Sequence, residues 1–190
     1  MNTDPAVTAL QAATEDSEMA DLAAKLLIAP TALMRLTLAE AHVVVRYMQP
    51  QFVEQGTVFI REGDVSDTGF MMLLLDGEAT VETVVVSRAE PMVLTVQGPG
   101  SLLGEWGMLD DSPRYASCIA TTPLRGAILT REALQLLMEE NPLVAAKLLL
   151  VVSLRVAERL RDNSDKLKMY IQLMEAMQEE IVSRESVEAD

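Results

Sequence analysis

Gly104-Glu105-Trp106-Gly107-Met108-Leu109-Asp110-Asp111-Ser112-Pro113-Arg114-Tyr115-Ala116-Ser117 is the stretch on which the reading of this 190-residue chain turns. It sets a carboxylate and a guanidinium on either side of a short Gly-opened segment and a turn. Glycine lets a backbone approach a ligand closely and leaves its amides accessible. Amides at the start of a short helix form an anion site. Arg114 offers a planar fork that suits a phosphate. Glu105 cannot favour that phosphate, so it suits another task, such as accepting hydrogen bonds from sugar hydroxyls. An anion cradle beside a hydroxyl acceptor fits a nucleotide monophosphate. The plain alternative is an Arg that follows a turn and pairs with Asp110 or Asp111 at the surface.

Outward from this stretch the chain reads as short strands. Thr57–Ile60, Gly69–Leu75, Ala79–Val86, Met92–Val96, Ala116–Ala120 and Arg125–Leu129 are rich in Val, Ile, Leu and Thr and are punctuated by Gly and Pro. Such spacing predicts an all-β barrel or sandwich, and Asp76-Gly77 predicts a hairpin. Residues 105–109 break the pattern as about one helical turn. Before the barrel, Leu22–Leu36 has apolar residues at helical spacing, broken by Pro30. Thr37-Leu38-Ala39-Glu40 carries a capping-box signature. Met1 to about Met19 is polar and acidic.

After the barrel the chain becomes helical. Thr130 can cap a helix containing Leu134, Leu137 and Met138. Asn141-Pro142 places an N-cap before a Pro at the first helical position. No Gly or Pro follows, so one helix can run to about Ile181. Leu149, Val156, Asn163, Tyr170 and Met177 fall seven apart. Ser153, Leu160, Leu167, Met174 and Ile181 form a second set offset by four, the register of a coiled coil. A single helix cannot bury that seam, so a partner is implied, most simply the same helix of a second subunit in a two-fold homodimer. Packing the seam back on its own barrel is the alternative. Asn163 on the seam would fix register at some cost in stability.

Composition narrows the function. The net charge of −14 repels phosphate backbones, so nucleic acid is a poor partner. Hydrophobic residues make up 49%, enough for a core, which argues against a disordered chain. One cysteine, Cys118, excludes an intrachain disulfide and reads as a buried small residue. One histidine, His42, gives no metal set by itself. The acidic N-terminus has no signal-peptide pattern. The most apolar run, Leu143–Leu154, is interrupted by Lys147 and is too short to span a bilayer. A cytoplasmic location is the expectation. There is no nucleophile–base constellation and no Gly-rich triphosphate loop, so neither catalysis nor a cofactor is expected.

The 104–117 stretch resembles the phosphate-binding cassette of cyclic nucleotide-binding domains, whose pattern is Gly-Glu, a small helix with Ala or Gly in it, a turn, then Arg-x-Ala-Ser/Thr. Gly56-Thr57-Val58-Phe59-Ile60-Arg61-Glu62-Gly63-Asp64 resembles the family's G-x-x-I-x-x-x-G-D strand and turn. Leu75-Asp76-Gly77-Glu78-Ala79-Thr80-Val81 resembles its next hairpin, and Gly98-Pro99-Gly100-Ser101-Leu102-Leu103 the turn into the cassette. The four ordered motifs cover about Arg46 to Leu129. The resemblance implies an α+β, mainly β fold: a double-stranded β-helix or jelly-roll barrel flanked by N-terminal helices and a long C-terminal dimerisation helix. The organisation expected is an acidic, helical segment over 1–45, a barrel over 46–130 with its cassette at 104–117, and C-terminal helices over 131–190.

The resemblance also implies a ligand, cyclic AMP before cyclic GMP. Arg114 would pair with the cyclic phosphate, and Glu105 would accept from the ribose 2′-hydroxyl. Gly104 opens the cradle, and amides near Trp106, Gly107 and Met108 would add donors. Asn163, in Arg159-Leu160-Arg161-Asp162-Asn163-Ser164, matches the part of the family's long helix that reaches the base, or serves structure alone. The chain departs from the pattern at Tyr115, where the family has a small residue. A ring turned inward would fill the phosphate pocket; a ring turned outward would leave the amide in service. Trp106 is also large for its place. Transcription factors of the superfamily continue into a winged helix-turn-helix, whereas this sequence ends in acidic helix. The expectation is a stand-alone sensor that signals to a partner protein, with no DNA contact and no membrane. A ligand-free barrel serving as a dimeric scaffold, or a sensor of another anion stacked on Trp106 and Tyr115, are the alternatives.

Overall fold

The computed structural model describes residues 17–28, 33–66, 68–83, 92–110 and 112–188. It divides into two compact units, Met1–Val152 and Ser153–Asp190. In chain order, a helix α1 over residues 17–27 is followed by α2 (Leu38–Val45), β1 (Gln49–Val53), β2 (Val58–Ile60), β3 (Phe70–Asp76), β4 (Ala79–Thr83), β5 (Met92–Gln97), β6 (Leu102–Leu103), α3 (Glu105–Leu109), β7 (Ser117–Ala120), β8 (Leu124–Thr130), α4 (Arg131–Glu140) and α5 (Pro142–Glu188).

Two four-stranded antiparallel sheets form the barrel, one in the order β1-β8-β3-β6 and the other β2-β7-β4-β5. Consecutive strands such as β3 and β4 therefore lie in different sheets. The chain runs as bent ribbons: β1 and β2 pair with β8 and β7, while β3 and β4 pair with β6 and β5. This is the jelly-roll winding. It corrects the expected hairpin at Asp76-Gly77. β3 pairs with β6 and β8, and β4 with β5 and β7, so this turn is a corner that carries the chain between sheets. The corner is tied to the equivalent corner between β7 and β8. Thr121 and Thr122 amides donate to the Glu78 carbonyl at 2.9 and 3.3 Å, and the Glu78 amide donates to Thr122 Oγ1 at 2.8 Å. A turn sequence shows that the chain reverses; it does not show which strand it then pairs with.

Two strands have no counterpart in the sequence reading. β1 contains Pro50, which argues against a strand, yet β1 is an edge strand, where a missing amide is tolerated. β6 is only two residues long, too short for any periodicity. The first helix also differs: it occupies 17–27 rather than starting at Leu22, and residues 33–37 are not helical. Pro30 lacks an amide and disfavours helix in the residue before it. The expected end of the fourth strand at residues 84–86, and most of the N-terminal segment, lie outside the described residues.

The inner faces of the sheets enclose Val53, Ile60, Met72, Leu74, Ala79, Leu103, Cys118, Ala120 and Leu124. Cys118 is a core residue here, as its apolar setting suggests. Met71, Leu73 and Leu75, on the opposite face of β3, are buried as well. Buried apolar residues of the helices, among them Leu27, Leu134, Leu137, Leu148 and Val151, supply apolar cover in the same unit. The side-chain caps expected at Thr37 and Thr130 are present. Thr37 Oγ1 accepts from the Glu40 amide at 3.2 Å while Glu40 accepts from the Thr37 amide at 2.8 Å. Thr130 Oγ1 accepts from the Ala133 amide at 3.2 Å.

The helices are tied to each other by polar contacts. Lys147 donates to the Glu40 carboxylate at 2.6 and 2.8 Å. Tyr47 donates its hydroxyl to Glu140 and accepts from Asn141 Nδ2 at 3.1 Å. His42 Nε2 lies 3.3 Å from the Asp21 carboxylate. The Lys147 ammonium, together with the Thr37 amide, holds the Glu40 carboxyl down at about 2.

In the second unit, α5 continues as helix to Glu188. Leu160, Leu167, Tyr170, Met174 and Met177 are all more than half exposed in the single chain. The side chain of Ile181, the last expected seam residue, lies outside the described residues.

Candidate functional site

β6 leads directly into Gly104, which has φ +78°. L-residues rarely adopt this left-handed conformation, and a Cβ here would lie 2.7 Å from Arg114 Nη1 and 3.1 Å from the Phe70 carbonyl oxygen. The five-residue helix α3 starts immediately afterwards. Its Gly107 lies so close to the Thr68 carbonyl that a Cβ would collide with it. The two glycines of the motif therefore let α3 pack directly onto the start of β3. The first amides of α3 have no acceptor inside the helix, as at any helix start.

Glu105 and Arg114 occupy the two sides of this segment and are among the few buried charged residues, with 3% and 5% exposure. Burial of this depth for two charges is rare unless each is compensated. Arg114 is held by backbone on several sides. Its Nη1 donates to the Gly104 carbonyl at 2.8 Å, and its Nη2 donates to the Phe70 carbonyl at 3.1 Å. Its guanidinium carbon stands 4.5 Å over the centre of the Phe70 ring, a cation–π arrangement. Its own main chain pairs with the β2–β3 turn: the Gly63 amide donates to the Arg114 carbonyl at 2.8 Å, and the Arg114 amide donates to the Asp64 carbonyl at 3.0 Å. The surface ion pair considered above is not formed with Asp110. That carboxylate accepts from the Ser112 amide and hydroxyl at 3.1 and 2.8 Å. Asp64 is also anchored locally. Hydrogen bonds from the Ser66 hydroxyl and amide, with a smaller contribution from the charge of Arg114, hold its carboxyl below the usual range.

Tyr115 turns outward. It is 67% exposed, and its ring stacks on that of Trp106 with centroids 5.3 Å apart. The two residues that depart most from the expected pattern thus contact each other across the two ends of the segment. Met108 is buried, while Trp106 stays half exposed. Asn163 is exposed on α5 in the second unit, with Arg114 and Glu105 in the first.

A sequence model of the family described as "Cyclic nucleotide-binding domain" matches residues 50–141, from β1 through the end of α4. This chain contains a cyclic nucleotide-binding domain. A "CRP-like cAMP-activated global transcriptional regulator" of Mycobacterium tuberculosis is 26% identical over 140 residues, covering 74% of this chain and 56% of the relative. "Acetyltransferase Pat" of Mycolicibacterium smegmatis is 36% identical over 86 residues, covering 45% of this chain and 25% of the relative. Among solved structures, a cyclic nucleotide-binding domain from Methylobacillus flagellatus superposes with a TM-score of 0.73 at 26% identity, covering 80% of this chain and 83% of that one. The chain spans from a quarter to just over half the length of these curated relatives.

Within the cyclic nucleotide-binding domain, Gly104, Glu105, Trp106, Gly107, Met108, Arg114 and Tyr115 come together around one short helix. Two residues of this region escaped the sequence reading. Phe70 underlies Arg114 with both its ring and its carbonyl. Arg131 clamps the far end of α3, donating from Nη2 to the Gly107 carbonyl at 2.6 Å and the Asp110 carbonyl at 2.9 Å. Its amide also donates to the Gly69 carbonyl at 2.7 Å. A cation at the C-terminus of a helix is favoured by the helix dipole, but Arg131 comes from a different element, so no local pattern marks it. Among the described residues, no group of three or more His, Cys, Asp or Glu side chains could hold a metal ion. No described helix is long and apolar enough to cross a membrane.

Proposed function

We propose that this protein is a cytoplasmic sensor of a cyclic nucleotide, cyclic AMP in preference to cyclic GMP, that signals through a homodimer of α5 to a partner protein. In this reading Arg114 binds the cyclic phosphate, the first amides of α3 support it, and Glu105 receives the ribose hydroxyl. The carrying observation is the burial of Glu105 and Arg114 together around α3, inside a cyclic nucleotide-binding domain. A buried pair of charges that only stabilised the fold would be a costly device. The names of relatives, a cAMP-activated regulator and a cAMP-dependent protein kinase regulatory subunit among them, favour cyclic AMP. The seam of α5, exposed in the single chain, favours the homodimer.

Calorimetric titration of ligand-stripped protein with cyclic AMP, then cyclic GMP, tests this. A charge-assisted hydrogen bond contributes about 1.5–3 kcal/mol, so Arg114→Ala should weaken binding by about one to two orders of magnitude. Saturable heat that Arg114→Ala leaves unchanged would remove the mechanism. A second reading has one observation behind it: Arg114 already donates to two backbone carbonyls, as it would in a ligand-free scaffold. That reading expects no heat from either nucleotide and a loss of thermal stability in Arg114→Ala.

A further inference from the structure

A cavity of about 490 Å³ is lined by residues of β1, β2, β3 and β8, the segment before β3 and the start of α4, and neither Glu105 nor Arg114 lines it. Its apolar lining is Val53, Phe59, Phe70, Met72 and Ile128, and its polar lining includes Gln51, Thr68, Thr130 and Glu132. Its volume falls in the range of about 300–1,000 Å³ usual for small-molecule sites, and the mix of an apolar lining with a few polar groups is usual as well. Among the described residues no Lys or Arg lines it, whereas Glu132 does. The Glu132 carboxyl is held below its usual range by its own amide and the Thr130 hydroxyl, so it is ionised. An anion would meet this carboxylate, and no described lining residue carries a positive charge. The chemistry is therefore opposite to that of the cassette.

Two walls of the cavity are also the supports of the cassette. Thr68, Gly69 and Phe70 line the cavity with side chain or backbone. The carbonyls of the same three residues bond or pack against the cassette region: Thr68 lies against Gly107, Gly69 accepts from the Arg131 amide, and Phe70 accepts from Arg114. Thr130 and Glu132, on a second wall, flank Arg131, the residue that clamps the end of α3. A molecule seated in the cavity would press on both supports at once. Close-packed segments transmit such displacements because they have no slack to absorb them.

We propose that this cavity is a small-molecule site distinct from the proposed nucleotide site, for a largely apolar organic molecule without negative charge, and that its occupancy is coupled to the cassette through Thr68–Phe70 and Arg131. Titration of the full chain with N-phenyl-1-naphthylamine, a neutral fluorescent aromatic, tests this without any nucleotide. Its sulfonated analogue 1-anilinonaphthalene-8-sulfonate serves as the anionic control. Saturable one-to-one binding is expected, at least about tenfold weaker for the sulfonate, because its charge would be desolvated beside Glu132. Gln51→Trp, in the polar lining, and Ile128→Trp, in the apolar lining, should each weaken binding by about tenfold or more. The exposed Gln51 variant keeps the test valid if the Ile128 variant fails to fold. Hydrogen exchange of amides 104–114 should change when the neutral probe is bound. The absence of saturable binding, equal binding of the sulfonate, or indifference to Gln51→Trp would overturn the site. Loss of binding in Leu160→Asp with none in Gln51→Trp would assign the probe to the α5 seam and overturn it equally. Binding at the cavity with unchanged exchange over 104–114 would overturn the coupling.

Discussion

The first three turns of α5 and the stretch beyond Ser153 belong to one unbroken helix, yet they treat their apolar residues in opposite ways. From Pro142 to Val152, Val144, Ala145, Leu148, Val151 and Val152 are buried in the first unit. Beyond it, Leu160, Leu167, Tyr170, Met174 and Met177 stand in solvent. The first set follows the wide apolar stripe of a helix packed on a domain. The second follows the narrower alternation of four and three that suits another helix. The difference teaches that the apolar residues of one helix are covered by the chain's own first unit at one end and left exposed in the single chain at the other, where the proposed homodimer would cover them.

The sharpest way to break that comparison is to truncate one residue from each part. Leu148 has no exposure, so Leu148→Ala should lower unfolding free energy by about 2–5 kcal/mol at every protein concentration. Leu160→Asp should leave the dilute monomer within about 0.5 kcal/mol of wild type and remove the concentration dependence of its urea midpoint. Urea melts of both variants at two concentrations decide it. A concentration-independent wild type would mean that the distal seam has no second copy as its partner.

Acid gives a second, smaller handle on the near end, where Lys147 ties α5 to α2. The Glu40 carboxyl titrates at about 2 in the fold against 4.5 ordinarily. A lowered carboxyl stabilises the fold fully above the ordinary value and loses that contribution as pH falls toward 2. Wild type should therefore exceed Lys147→Met in urea midpoint at pH 6, and the gap should narrow between pH 4.5 and 2.5. A gap that stays constant would show that the pair contributes through packing rather than charge. The smallest effect is expected at Asn163. Asn163→Leu should strengthen self-association and admit species larger than a dimer, visible by sedimentation, because an apolar residue no longer penalises other registers.

The segment 104–117 was legible because its chemistry is local. Two glycines, a carboxylate and a guanidinium at short spacing require no knowledge of the rest of the fold. Thr37 and Thr130 were legible as caps for the same reason, since a cap bonds within three residues of itself. The long helix α5 was legible because a run without Gly or Pro after Pro142 is a property of one segment.

What escaped was set by residues far apart in the chain. Asp76-Gly77 marks a reversal in any context, but only its ties to Thr121 and Thr122 make it a corner between sheets. Pro50 reads as a strand breaker until β1 is placed at a sheet edge. Tyr115 can point in or out on sequence grounds, and its contact with Trp106 decides that it points out. Phe70 and Arg131 became part of the cassette region only when the barrel brought them there, 44 and 17 positions from Arg114. Sequence by itself determined the elements whose stability lies in short-range hydrogen bonds and helical periodicity. Tertiary structure alone decided sheet partners, side-chain direction and the shared wall between cassette and cavity, because those depend on contacts whose cost and gain are settled only when distant segments pack.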